Sequence, residues 1–290
     1  MSALANRPFY KMNGIGNKII VLDLRGTGVT VAADEARAIG CAPGLAYDQL
    51  MVMYDPRQEG TAARMTIFNI DGSVSGACGN GTRCVAWVLM RDGAADHIVV
   101  ESDAGRLDCW RESEWRFGVD MGPPALEWET IPLVGSGGET LHVDLPDPPE
   151  ATADLPDFTA VNMGNPHAVF FVDDPEAFDL AAAGSAVEHH WLFPQKVNMS
   201  LAKVLSREEI RLRVWERGAG ATLACGSAAC ATLVAAVRRG LSARRATVTL
   251  PGGELVIEWR QSDDHVTMTG DVELEFEAQF APEIFAAAGA

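Results

Sequence analysis

The chain is short of positive charge. Its 290 residues carry 23 Lys and Arg against 40 Asp and Glu, a formal net charge of −17. Nucleic acid is therefore excluded as the expected partner, because phosphate recognition needs clustered Lys and Arg. An anionic substrate would need a local, well-placed set of donors. Long apolar runs are missing too: no stretch approaches the roughly 20 residues of a membrane helix. The opening residues lack the charged-then-apolar pattern of a secretory leader, and a cytoplasmic enzyme is the expectation. Cysteine is confined to Cys41, Cys78, Cys84, Cys109, Cys225 and Cys230. Without a secretory pattern these are expected to be reduced and not bridged. The nearest pairs are spaced C-x5-C and C-x4-C, unlike the tight C-x2-C of structural zinc, so no metal is expected.

What is present is a globular balance, with 48% hydrophobic and 22% charged residues and enough length for two ordinary domains. Most apolar runs are short, rich in Val, Ile and aromatics, and bounded by Gly, Pro, Asp or Asn. They predict strands at 19–24, 50–54, 64–68, 98–101, 168–172, 210–215, 246–250 and 255–259. Two segments read as helices, 79–91 and 226–239. Each ends in basic residues followed by a glycine, Gly93 and Gly240, as helix C-termini prefer. Both are apolar on most faces, which predicts helices enclosed by sheet. A segment rich in Gly, Pro and Asp, 134–155, reads as loops with one strand at 140–145.

The chain then repeats itself. Ala77-Cys78-Gly79 opens one helix and Ala224-Cys225-Gly226 the other. Nine residues before each cysteine a polar residue closes a strand, Asn69 or Glu216. About sixty residues before each lies a Gly-Asn pair, Gly16-Asn17 or Gly164-Asn165. After each helix comes a hairpin with a glycine turn, Asp103-Ala104-Gly105 or Pro251-Gly252-Gly253. Four shared landmarks indicate an internal duplication. The expected fold is α+β: two pseudo-symmetric halves, each a curved, mostly antiparallel sheet around a central helix. The first half is expected over 1–124 with a returning C-terminal strand in 271–290, and the second over 125–270. The active site is expected in the cleft between them.

A cysteine at a helix start is chemically placed. The helix N-terminus presents unpaired N–H groups and partial positive charge, which favours a bound carboxylate and lowers a thiol's pKa. Two such starts can hold one α-amino-acid carboxylate with a cysteine on either side of the α-carbon. That suits removal of the α-proton from one face and its return from the other, one cysteine as thiolate and the other as thiol. Taken singly, each cysteine is as readily a small buried apolar residue; the matched contexts favour chemistry. Cys84 and Cys230, inside the helices, read as packing, and Cys41 and Cys109 as structural.

A wider pattern runs through Lys11-Met12-Asn13-Gly14-Ile15-Gly16-Asn17, Phe68-Asn69-Ile70-Asp71-Gly72-Ser73, Ala77-Cys78-Gly79-Asn80-Gly81-Thr82-Arg83-Cys84, Asn162-Met163-Gly164-Asn165-Pro166-His167-Ala168, Val197-Asn198 and Glu216-Arg217-Gly218 through Ala224-Cys225-Gly226-Ser227. Together these resemble diaminopimelate epimerase over nearly the whole chain. The resemblance implies conversion of L,L-diaminopimelate to the meso form in lysine and peptidoglycan precursor biosynthesis, with no cofactor, neither pyridoxal phosphate nor metal. It implies Cys78 and Cys225 as the catalytic pair, His167 assisting the first and Glu216 the second. It further implies Gly79, Asn80, Gly226 and Ser227 as the carboxylate cradle. Asn17, Gln49, Asn69, Asn165, Asn198 and Arg217 would hold the rest of the substrate. Arg217 can clamp a carboxylate with two parallel hydrogen bonds, and Asn offers donor and acceptor together. Asn13, Lys18, Tyr47, Ser227 and Ala228 depart from the commonest family pattern without removing a catalytic group. A homodimer is expected for a sheet-rich enzyme of this size.

Three rivals remain open. A proline racemase or hydroxyproline epimerase would carry a histidine soon after the first Cys-Gly, where this chain has Asn80, and a Pro before the second cysteine, where it has Ala224. A phenazine-pathway isomerase would lack the cysteine pair. A binding or thiol redox protein would leave the Asn, Glu and Arg constellation without a purpose.

Overall fold

The computed structural model describes residues 2–76, 78–93, 95–103, 105–135 and 137–286. Ala77 and Ala104, read above as part of a helix start and a turn, lie outside the described residues, as do Met1 and 287–290 of the expected first half. The chain forms two compact units, Met1–Val119 with Gly270–Ala290, and Asp120–Thr269.

In chain order the first unit contains β1 (Pro8–Gly14), β2 (Asn17–Asp23), α1 (Ala33–Cys41), β3 (Gln49–Tyr54), β4 (Ala63–Asn69), β5 (Val74–Ser75), α2 (Gly79–Met90), β6 (His97–Ser102), β7 (Gly105–Ser113) and β8 (Arg116–Asp120). The second contains β9 (Phe158–Asn162), β10 (Pro166–Phe171), α3 (Leu180–Glu188), β11 (Asn198–Ser206), β12 (Glu209–Glu216), β13 (Gly220–Thr222), α4 (Gly226–Arg238), β14 (Arg245–Leu250), β15 (Gly253–Trp259) and β16 (Val266–Asp271). The chain then returns to the first unit as β17 (Glu273–Gln279), antiparallel to β1.

The two ladders repeat. In the first unit β1–β2 is antiparallel, β2–β3 parallel, β3–β4 and β4–β5 antiparallel, β4–β6 parallel and β6–β7 antiparallel. In the second, β9–β10 is antiparallel, β10–β11 parallel, β11–β12 and β12–β13 antiparallel, β12–β14 parallel and β14–β15 antiparallel. A parallel pair needs a crossover, usually a helix. The second crossover of each unit is the helix read from the sequence, α2 or α4. The first is α1 or α3, which the sequence reading missed. Both are nine residues long, too short to show a strong helical period.

α2 is buried along nearly its whole length, and α4 from Ala228 to Ala236. Fully enclosed side chains such as Leu233 and Val234 each contribute about 1.5–3 kcal/mol of transfer free energy. Separate cores form on the α1 and α3 sides. One gathers Ile20, Leu22, Ile39, Leu50 and Phe68; the other gathers Phe158, Phe170, Leu180, Val187 and Met199. The expected strand at 140–145 is a correction. There the chain makes only an isolated bridge, Val143 to Phe158, because Pro146, Pro148 and Pro149 follow and cannot donate to a ladder.

Candidate active site

Cys78 is the N-cap of α2, in extended backbone geometry. Its Sγ accepts from the Gly81 N–H at 3.2 Å and donates to the Gln49 side-chain oxygen at 2.7 Å. Gln49 opens β3 and lies in register with Ile19 on one side and Asn69 on the other. Strand pairing therefore sets Gln49, which meets the helix start, beside Asn69. Asn80 is buried, and its side-chain amide donates to the Asn17 side-chain oxygen at 2.5 Å. Asn17 also reaches Asp48, and Asn69 donates to Ser73. In the first unit, Cys78 thus meets Gln49, Asn80 meets Asn17, and Asn69 lies beside Gln49 in the ladder. By construction the first turn of α2 leaves N–H groups without intrahelical acceptors.

Cys225 is the N-cap of α4, again extended, but only 5% exposed. Its Sγ lies 3.5 Å from the Ser227 hydroxyl. Burial pushes the thiol well above its ordinary pKa, and the Glu216 carboxylate adds to this by its charge and by accepting a hydrogen bond from it. The sequence reading expected the helix start to lower a cysteine's pKa. At Cys225 desolvation and a neighbouring carboxylate win, because both disfavour the thiolate more than the helix end favours it. Glu216 ends β12, and the Thr222 hydroxyl donates to it at 2.5 Å. The Arg217 N–H donates to the Asn198 side chain at 2.9 Å, and its guanidinium to the Gln195 carbonyl at 2.9 Å.

His167 stands on β10 in register with Asn198 on β11. It is fully buried, with Nε2 2.9 Å from the Asn165 side-chain oxygen. Burial, with a smaller contribution from the Arg217 charge, lowers its pKa to about 3, so the imidazole is neutral at ordinary pH. Nδ1 is buried and has no hydrogen-bond partner among the described residues. Cys225, Glu216, Arg217, Asn198, Asn165, His167, Gly226 and Ser227 all belong to the second unit.

Cys84 and Cys230 are fully buried, and burial pushes the Cys84 thiol up to about 12. No disulfide joins any of the six cysteines, all of which lie among the described residues. No group of three or more His, Cys, Asp or Glu among the described residues could hold a metal ion. A cavity of about 330 Å³ in the first unit is lined by Phe9, Leu45, Phe276 and Ile284 among others. It contains none of the residues above.

The sequence reading missed Glu188, the last residue of α3, whose carboxylate reaches the turn after β12. Asp179 was the available signal. It caps α3 by accepting from the Ala181 and Ala182 N–H groups, and an acidic residue before an Ala-rich run is a helix-start cue.

The family model for diaminopimelate epimerase matches the chain twice, over residues 9–127 and 159–275. The diaminopimelate epimerase of Methylocella silvestris is 59% identical over 290 residues, covering all of both chains. Among solved structures, a phenazine biosynthesis protein from Enterococcus faecalis superposes with a TM-score of 0.70 at 17% identity, covering 94% of this chain and 98% of that one. A hydroxyproline epimerase from Agrobacterium vitis, solved with trans-4-hydroxy-L-proline bound, gives 0.70 at 13% identity, covering 97% and 94%. At these identities the two structures speak for the fold alone.

Proposed function

The chain belongs to the diaminopimelate epimerase family, and we propose on that footing that it converts L,L-diaminopimelate to meso-diaminopimelate with no cofactor, using Cys78 and Cys225 as paired acid and base. The observation that carries this reading is the duplication of one device. Each unit ends a strand in a polar residue, then caps its central helix with a cysteine.

The chemistry follows from the two environments. Backbone N–H groups at the helix starts receive the reacting carboxylate and stabilise the charge that spreads into it as the α-proton leaves. Gly79, Asn80, Gly226 and Ser227 supply that cradle. Cys225 rests as a thiol beside Glu216, the protonation state of a donor. Cys78, whose thiol donates to Gln49 at rest, becomes the base for the isomer whose proton faces it once it has lost that proton to solvent, and the roles exchange for the reverse reaction. After Cys225 gives up its proton, Glu216 makes the thiolate a strong base, which favours re-protonation. His167, held neutral by burial with a pKa of about 3, is too weak a base to take a thiol proton and is assigned to assist Cys78 as a neutral hydrogen-bonding group. Arg217, with Asn17, Gln49, Asn69, Asn165 and Asn198, holds the distal amino-acid end. A substrate bound through many polar groups is discriminated strongly from analogues that lack them.

The proposed setting is the cytoplasm, supported by six cysteines without a disulfide and by their fit to a reducing compartment. No helix among the described residues is long and apolar enough to cross a membrane. A homodimer is proposed because two-fold dimers are the commonest soluble homo-oligomers; gel filtration with light scattering decides it.

The test of the substrate is incubation in deuterium oxide with L,L-diaminopimelate and, separately, with proline and hydroxyproline, following the α-proton by NMR. Exchange and epimerisation of diaminopimelate alone is the expected result. Exchange only with the cyclic amino acids would keep the mechanism and overturn the substrate. No exchange with any of them in reduced protein would favour a binding protein.

A further inference from the structure

We propose that Glu188 is a positioning residue that sets the Trp215–Gly218 turn, and with it the placement of Glu216 and Arg217. This rests on the roles given to those two residues above. Glu188 is buried, 3% exposed. The Trp215 indole N–H donates to one oxygen at 2.7 Å, and the Gly218 backbone N–H to the other at 3.0 Å. These donors flank Glu216-Arg217 directly. One carboxylate thus grips both ends of the two-residue segment that carries the chemistry.

The grip extends to the guanidinium. Lys196 approaches the Gly218-bound oxygen of Glu188 at 3.4 Å. Lys196 has left-handed backbone geometry, φ +59°, and its N–H closes a turn onto the Phe193 carbonyl. That geometry is uncommon for a non-glycine residue and needs support from its surroundings. The residue before it, Gln195, accepts from the Arg217 guanidinium. Glu188 therefore holds Arg217 through its backbone on one side and through the 189–196 loop on the other. His189 Nε2, at 4.0 Å, is the remaining titratable neighbour. Packing reinforces the arrangement: a Cβ added at Gly184, one helical turn before Glu188, would come within 2.4 Å of the Trp215 ring. Only a residue without a side chain lets α3 lie this close to the indole.

Burial raises the Glu188 pKa, but the bonds from Trp215 and Gly218 outweigh it and hold the carboxyl below its ordinary range. The group is thus an anion throughout the pH range of ordinary activity. A glutamine cannot replace it, because its NH₂ group would face either the Trp215 or the Gly218 donor.

The test compares wild type, Glu188→Gln, Lys196→Met, Trp215→Phe and the Glu188→Gln/Trp215→Phe double variant. The readouts are kcat and KM, and the pH midpoint of iodoacetamide alkylation at Cys78 and Cys225, resolved by peptide mass spectrometry. Glu188→Gln is expected to lower kcat/KM by about 10²-fold, the scale of a misplacement near 1 Å. It should also move the Cys225 midpoint to lower pH as Glu216 swings away, leaving the Cys78 midpoint in place. Removing the indole donor in the double variant should restore part of the loss, since the glutamine NH₂ then meets no donor there. A folded Glu188→Gln protein with wild-type kcat/KM and a wild-type Cys225 midpoint would overturn the proposal. If Glu188→Gln does not fold, Lys196→Met decides. A raised KM with the Cys225 midpoint unchanged supports the clamp, and wild-type kinetics contradict it. Should wild type fail to turn over diaminopimelate, the epimerase reading fails by itself. The alkylation midpoints, which need no substrate, still judge the clamp.

Discussion

The two cysteine-capped helix starts share a backbone and differ in electrostatics. In the first unit Cys78 is half-buried and donates to a neutral amide, Gln49. In the second, Cys225 is buried against a carboxylate, Glu216, that disfavours its thiolate. The polar residue nine positions ahead of the cysteine also differs, Asn69 in one unit and Glu216 in the other. Duplication supplied the scaffold, and substitution at a few side chains made the two thiols inequivalent. A two-base reaction benefits from that inequality, because paired groups held in different environments separate the roles of acid and base. The turns that carry those polar residues are held differently as well. In the first unit the exposed Arg37 of α1 donates to the Asp71 carbonyl at 3.2 Å. In the second the buried Glu188 of α3 accepts from the Gly218 N–H.

The sharpest way to break this comparison is to remove the carboxylate. Glu216→Gln should lower the Cys225 alkylation midpoint, leave that of Cys78 in place, and reduce turnover by about 10²-fold, within the range of acid–base catalysis. Equal shifts at both cysteines would show that the asymmetry lies elsewhere. Next in size is Gly184→Ala, whose methyl must displace the Trp215 ring. Overpacking of this kind costs about 1–3 kcal/mol, which denaturant unfolding would measure, and the Cys225 midpoint should fall with it.

A comparable effect concerns acid stability. His167 has a folded pKa of about 3, depressed below the unfolded value of about 6.5. Its neutral burial therefore contributes stability that is fully present above about pH 6.5 and is lost as pH falls toward 3. Between pH 7 and pH 5 the loss amounts to about 2 kcal/mol. His167→Gln should flatten that part of the stability-versus-pH curve, and an unchanged slope would remove His167 as its source. The smallest effect is expected at Arg37→Met, an exposed clamp on the first unit's turn. Its stability change should stay within about 0.5 kcal/mol, against the large consequence of Glu188→Gln.

Both central helices were legible because each carries a local signal, a cysteine-glycine start and a basic, glycine-terminated end. Strands β2, β3, β4, β6, β10, β12, β14 and β15 were legible from short apolar runs between turn residues, and β17 as the returning C-terminal strand, whereas β1, β8, β9, β11 and β16 were not read. α1 escaped because its N-cap is Ala32, which makes no side-chain capping bond, and because so short a helix shows little period. The segment at 140–145 looked like a strand by composition, yet Thr140 turns its hydroxyl to the Leu126 carbonyl and the prolines beyond it end any ladder. Within the candidate site, Cys78 and Cys225 could be named from the residues, and the other side chains only through the resemblance to diaminopimelate epimerase. What they touch could not. Glu188 meets Trp215 and Gly218 across separations of 27 and 30 positions, and no local pattern announces such a contact. The elevated Cys225 thiol was also hidden, because burial is a property of the folded chain.

The central claim is that Cys78 and Cys225 are the two proton-transfer groups. Its most direct test is α-proton exchange of L,L- and of meso-diaminopimelate in deuterium oxide, with reduced wild type, Cys78→Ala and Cys225→Ala. The account predicts that wild type places deuterium at the inverted centre from both isomers, and that each variant loses epimerisation by about 10²–10⁴-fold. Epimerisation retained in either variant would contradict it.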